Sequence, residues 1–200
     1  MSSEGNKYYI VYKPFRMLSQ FIGGAPEAKL LSHLNFDFPE GIHAIGRLDN
    51  ESEGLLILTT DKRITKLLFS SAKPHSRTYL VKVDRIVQPE TLDILRNGIS
   101  IRIRGGEFWT TSPCEVEFCE EPLNLPEVPE RLAYHSKTTW LKVTLKEGKY
   151  HQVRKMVAAV GHKCKRLIRV SIDQLELDGL KSGEVREIDE KTFFEVLDLG

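Results

Sequence analysis

The chain reads as an α+β protein with strands in the majority. Two patterns lead to that expectation. Apolar or alternating runs of strand length recur along most of the 200 residues, whereas the three-and-four spacing of an amphipathic helix is confined to a few short stretches. Tyr8 to Tyr12 is an apolar strand that stops at Pro14, whose missing N–H cannot join a ladder. Leu55 to Thr59 is apolar almost throughout, the pattern of a central strand covered on both faces. Asp61 then caps a short helix in which Ile64, Leu67 and Leu68 share one side. Ser70 to Ser76, with Pro74, reads as an exposed connection between an N-terminal lobe (1–70) and a C-terminal lobe (76–195).

In the second lobe Tyr79, Val81 and Val83 alternate with Leu80 and Lys82, the signal of a half-buried strand. Pro89 to Arg96 starts with proline and ends at Asn97-Gly98, a helix with a glycine cap. Ile101 to Arg104, Cys114 to Phe118 and Trp140 to Leu145 are further strands. Glu120 to Ser136 sets Pro122, Pro126 and Pro129 among acidic residues and reads as a surface loop. Val153, Met156, Val157 and Val160 follow helical spacing, and Gly161 closes that helix.

Composition narrows the function classes. Hydrophobic residues at 40% and charged residues at 28% are ordinary for a globular protein. No run approaches the roughly 20 apolar residues of a membrane helix, and Met1 to Asn6 lacks the apolar core of a signal peptide, so a cytoplasmic protein is expected. Cys114, Cys119 and Cys164 match no zinc or disulfide spacing. None of His33, His43, His75, His135, His151 and His162 pairs with an evident nucleophile or with a metal-binding helix partner, which disfavours a hydrolytic triad or zinc site. Net charge is only +1, but Lys149, Arg154, Lys155, Lys163, Lys165, Arg166 and Arg169 fall within one stretch. Such a stripe is the footprint of phosphate contacts made by one face.

The most informative segment runs from Gly46 to Asp61, where an acidic loop leads directly into an apolar strand. Asp49 follows Leu48 and Arg47, so partial desolvation and a cationic neighbour can tune its carboxylate. An aspartate before a strand is more often simply a turn or capping residue. Other segments change that balance: Tyr12-Lys13-Pro14-Phe15 with Leu18-Ser19-Gln20-Phe21, Arg77-Thr78-Tyr79-Leu80-Val81-Lys82-Val83, and Glu147-Gly148-Lys149-Tyr150-His151-Gln152-Val153-Arg154-Lys155-Met156 continuing through Gly161-His162 to Arg169. With Gly46-Arg47-Leu48-Asp49 and Ser52-Glu53-Gly54-Leu55-Leu56, these resemble, in order and spacing, the ribosomal RNA pseudouridine synthases of the RsuA family.

That resemblance implies a mixed, mostly antiparallel sheet flanked by helices, with two lobes around a catalytic cleft in a single catalytic domain. The Lys-Pro motif falls already at Lys13, which points to the branch without an N-terminal S4 domain that acts on large-subunit ribosomal RNA. No cofactor and no metal are implied, and a monomer is expected. Asp49 would be the nucleophile, Tyr79 the active-site tyrosine stacked on the target base, and Arg154 the cation paired with the nucleophile. Leu167 would pack against the tyrosine, and Arg47 would fill the gap left by an extruded uridine. Arg77 stands where the family commonly has lysine, which keeps the charge but not a compact amine. Lys149, Lys155, Lys163 and Lys165 are expected at phosphates. Two other readings stay open: a non-catalytic RNA-binding or ribosome-assembly protein with a retained synthase fold, and a glycoside hydrolase using Asp49 with Glu51 or Glu53. An ion pair from Arg47 to Glu51 or Glu53 would be a purely structural alternative for that arginine.

Overall fold

A strand apolar on both faces must be covered on both, and this requirement organises the first half of the chain. The computed structural model describes residues 5–69, 73–103, 105–127 and 137–199. Its strands and helices are, in chain order, β1 (Tyr8–Lys13), β2 (Met17–Leu18), β3 (Lys29–Leu30), β4 (His43–Ile45), β5 (Glu53–Thr59), α1 (Ile64–Phe69), β6 (Arg77–Asp84), α2 (Pro89–Arg96) and β7 (Ser100–Arg102). They continue with β8 (Phe108–Thr110), β9 (Glu115–Cys119), β10 (Thr138–Leu145), α3 (Gln152–Ala159), β11 (Cys164–Ile172), β12 (Leu175–Glu176), β13 (Val185–Ile188) and α4 (Glu190–Val196). The ladders β1–β13, β1–β5, β4–β5, β6–β10, β9–β10, β11–β12 and β7–β8 are antiparallel, and the short β2–β3 pair is parallel.

Two compact units emerge, one of Met1–His75 with Arg169–Gly200, the other of Ser76–Ile168. The sequence reading assigned residues 76–195 to one lobe, but the chain returns to the first unit at Arg169. The reason is pairing: β13 lies against β1, with Tyr8 opposite Ile188.

In the first unit the strand order is β13-β1-β5-β11, with β4 also on β5 and β12 on β11. Every residue of β5 is buried, as its apolar run required. Tyr8, Ile10, Leu55, Ile57, Ile64, Leu68, Phe193 and Leu197 share one core. Helix α1 starts where Asp61 accepts the Arg63 backbone N–H at 2.9 Å, and the same carboxylate receives the Tyr8 hydroxyl at 2.9 Å and the Arg63 guanidinium at 2.7 Å. These hydrogen bonds, Arg63 foremost, hold the Asp61 carboxyl down at about 2. Helix α4, absent from the sequence reading, begins at Asp189, whose side chain accepts from Thr192 N at 3.0 Å. It sets Phe193 against the Tyr8 ring, centroids 4.6 Å apart. Of the connection from Ser70 to Ser76, residues 70–72 lie outside the described residues; Lys73 and Pro74 are exposed, but His75 is buried, with Nδ1 2.5 Å from the Asp173 carboxylate.

In the second unit β6 stands between β11 and β10, and β9 follows β10. Val81, Val83, Leu92, Leu95, Leu141, Val143, Val153, Met156, Val157 and Leu167 form its core. Helix α2 spans the expected Pro89 to Arg96. Past its end Gly98 has φ +93°, and a Cβ there would meet the Thr111 carbonyl oxygen at 2.3 Å, so only glycine fits. Residue Arg104, the last of an expected strand, and 128–136 of the expected surface loop lie outside the described residues.

Replacing the fully buried Phe193 by alanine is expected to cost about 3–5 kcal/mol, by loss of the Tyr8 stacking and creation of a cavity. Urea unfolding measures this, and a loss under about 1 kcal/mol would show that α4 does not seal the core of the first unit.

Candidate active site

The loop carrying Asp49 joins β4 to β5, and its conformation is dictated by hydrogen bonds from the segment after β1. Ser19 Oγ donates to the Leu48 carbonyl at 2.9 Å and accepts the Leu48 N–H at 3.0 Å. Arg16 N donates to the Asn50 carbonyl at 2.8 Å, and Ser52 N to the Asp49 carbonyl at 3.0 Å. Leu48 is buried, so the residue before Asp49 is anchored while Asp49 itself stays half-exposed. Behind the loop, Gly54 has φ +98°, and a Cβ there would lie 2.2 Å from the Arg169 carbonyl oxygen. The glycine of the motif therefore lets β5 and β11 approach.

Sequence reasoning quoted Lys13 without giving it a role. It is fully buried, and Nζ donates to the carbonyls of Met17 at 2.7 Å, Pro14 at 3.0 Å and Asn50 at 3.5 Å. Burial pulls its pKa down to about 7, Glu53 and Asp49 pull it up, and Arg169 pushes it down. Glu53 is fully buried, and the nearly buried Arg169 donates Nε to the Leu55 carbonyl at 2.8 Å. Lys13, Glu53 and Arg169 thus form a desolvated charge cluster whose field includes Asp49. The available signal was a lysine at the end of an otherwise apolar strand, a position that solvation alone does not explain. Arg47, exposed, donates to Gln20 Oε1 at 3.2 Å, not to Glu51 or Glu53.

The second unit holds the other expected residues. Tyr79 is half-buried on β6 opposite Val143, and it packs on the cluster that contains the buried Leu167. Arg154 lies on α3, half-exposed beside the buried Val153, Met156 and Val157. Arg77 is half-buried, its guanidinium beside Gly148. The basic stripe is not uniform. Arg166 and Arg169 are buried within β11 and cannot belong to a solvated phosphate-binding face as the sequence suggested. Lys163 is exposed and Lys165 half-exposed, whereas Lys149 and Lys155 sit over aromatic rings. Among the described residues no group of three or more His, Cys, Asp or Glu could hold a metal ion, and no helix is long and apolar enough to cross a membrane.

The Lys13 environment makes a signed prediction. Between about pH 7 and 10.5 the unfolded chain retains a proton that folded Lys13 has lost, so its contribution to stability rises with pH across that window and is flat below it. The stability difference between wild type and Lys13→Met should therefore shift toward wild type from pH 7 to 10. Chemical denaturation at several pH values reads it; a difference independent of pH would show that Lys13 stays protonated when folded.

The RNA pseudouridylate synthase family model matches residues 7–159. Ribosomal large subunit pseudouridine synthase E of Vibrio parahaemolyticus is 33% identical over 92% of this chain and 75% of its own length. The enzyme of the same name from Xanthomonas axonopodis pv. citri is 34% identical over 86% and 88%. A crystal structure of a pseudouridylate synthase superposes with a TM-score of 0.77 at 26% identity, covering 98% of this chain and 76% of that one. The mostly antiparallel sheet with its helices is the pseudouridine synthase fold, and the chain belongs to the RNA pseudouridylate synthase family.

Proposed function

We propose that this enzyme converts one specific uridine of large-subunit ribosomal RNA to pseudouridine, with Asp49 as nucleophile. The carrying observation is the Gly46–Gly54 loop: a half-exposed carboxylate, fixed by Ser19 and by backbone hydrogen bonds, in a chain of synthase family and fold. The large-subunit assignment is supported by relatives named for that activity. In the reaction the C1′–N1 glycosidic bond breaks, the base turns, and C1′ joins C5. C5 then loses its proton and N1 gains one. Atoms and electrons balance within the nucleotide, so no redox partner or cofactor is consumed. A carboxylate held beside one sugar suffices as covalent catalyst.

The remaining roles follow from the resemblance and from burial. Tyr79 stacks on the target base, Leu167 backs it, and Arg154 supplies a positive partner for the Asp49 carboxylate. Arg47, exposed on the Asp49 loop, enters the space left by the extruded uridine, and Arg77, Lys163 and Lys165 contact phosphates. The enzyme acts as a cytoplasmic monomer, where ribosomal RNA is made.

Asp49→Asn should abolish tritium release from C5-labelled RNA while leaving the fold and RNA affinity near wild type, because the amide keeps the shape and loses the nucleophile. Turnover near wild type would sink the mechanism, and pseudouridine mapping in ribosomal RNA from cells with and without the gene should show one missing site.

Arg154→Ala should lower both turnover and stability, and combined with Asp49→Asn the effects should be non-additive by about 0.5–3 kcal/mol. Strict additivity in denaturation would show that the two side chains do not interact.

A further inference from the structure

The second unit exposes aromatic rings that its core does not need. Trp109, on β8 opposite the buried Ile101, stays about one-third exposed at 36%, and Tyr150, just before α3, is 61% exposed. Both are held in place. The Trp109 indole donates Nε1–H to Glu147 at 3.3 Å, and Lys149 Nζ lies 3.8 Å from its ring centroid. Tyr150 is stacked on the His151 ring, centroids 3.8 Å apart and planes 20° from parallel, with Lys155 Nζ 5.2 Å from its centroid. His151 adopts φ +56°, ψ +30°, a left-handed conformation that a non-glycine residue takes at a cost, and this backbone turn presents the stacked pair.

We infer that Trp109 and the Tyr150–His151 stack are a binding platform for unpaired RNA bases, outside the set of residues assigned to the reacting nucleotide. Ordered rings beside ammonium groups are what single-stranded nucleic acid requires: a flat face for each base and a cation for the adjoining phosphate. The Glu147 carboxylate, which touches Trp109, is already engaged. Glu147 accepts from Ser112 N at 3.0 Å and from Gln152 Nε2 at 2.6 Å, as well as from Trp109. Lys149 and Lys155, set against Glu147, favour a polyanion over an acidic or neutral protein surface. Lys149 and Lys155 keep their contact with phosphate, but they do so as partners of rings and not as isolated charges. The inference deepens the proposed function, on which it rests, by naming the substrate class at this surface as looped RNA, where bases flanking the target uridine are free to stack.

The test uses the whole protein and a single-stranded RNA containing 2-aminopurine, whose fluorescence is quenched on stacking. Wild type should quench it, and Trp109→Ala and Tyr150→Ala should each weaken binding about 5- to 150-fold with loss of quenching, the range for one stacked base. Trp109→Phe and Tyr150→Phe, which keep a ring, should retain both signals, and an RNA duplex of the same sequence should bind all variants alike. Alanine variants that bind and quench like wild type would overturn the platform, as would phenylalanine variants that lose quenching or duplex binding that falls in parallel. Tritium release measured beside it separates the two claims: quenching without any turnover would sink the synthase reading and leave the platform standing.

Discussion

The buried ammonium of Lys13 is the interaction on which the first unit depends. A lysine with no access to water must direct its N–H groups at fixed acceptors, and the acceptors here are main-chain carbonyls from its own strand end, from Met17 and from Asn50. One side chain thereby ties β1, the segment after it and the Asp49 loop into one arrangement. The same desolvation that makes those bonds strict makes the charge costly, and Glu53 and Asp49 offset the cost. The nucleophile candidate thus lies within the field that acts on the buried lysine. Replacing a carboxylate in that cluster alters the lysine as well as the site.

Elements whose character is local were legible in the sequence. Helix α2 runs from Pro89 to Arg96 and α3 from Gln152 to Ala159 as their spacing and glycine stops required, and β5 is buried throughout. The elements that escaped are those whose burial is decided by distant partners. Strand β11 reads Cys-Lys-Arg-Leu-Ile-Arg, a solvated basic stripe on its face, yet Arg166 and Arg169 are buried. Helix α4 had a legible cap in Asp189, but its role in covering Tyr8 could be known only once β13 was placed on β1.

The candidate site divides in the same way. Asp49 was singled out through the family resemblance of its motif, since an aspartate in a loop before a strand is by itself more often a turn or capping residue. The residues that set its surroundings, Lys13 and Arg169, are separated by most of the chain and carry no shared signature. The lysines of the α3 region illustrate the reverse error. Counted as charges they suggest phosphate contacts alone, but Lys149 and Lys155 sit over Trp109 and Tyr150, so charge and stacking surface form one feature.

The division of β11 between Ile168 and Arg169 bears on how the protein is made. A ribosome delivers the second unit as one uninterrupted stretch, and every residue of its core cluster has emerged by Leu167. The first unit is split: Tyr8 pairs with Ile188 and stacks on Phe193, so β1 waits for nearly the whole chain before its outer edge is covered. Contacts this distant in sequence form slowly, and an apolar strand with an open edge is a hazard while it waits. Synthesis therefore finishes the lobe bearing Tyr79 and Arg154 first, and the loop bearing Asp49 acquires its surroundings only after Arg169 and the segment that follows it have arrived.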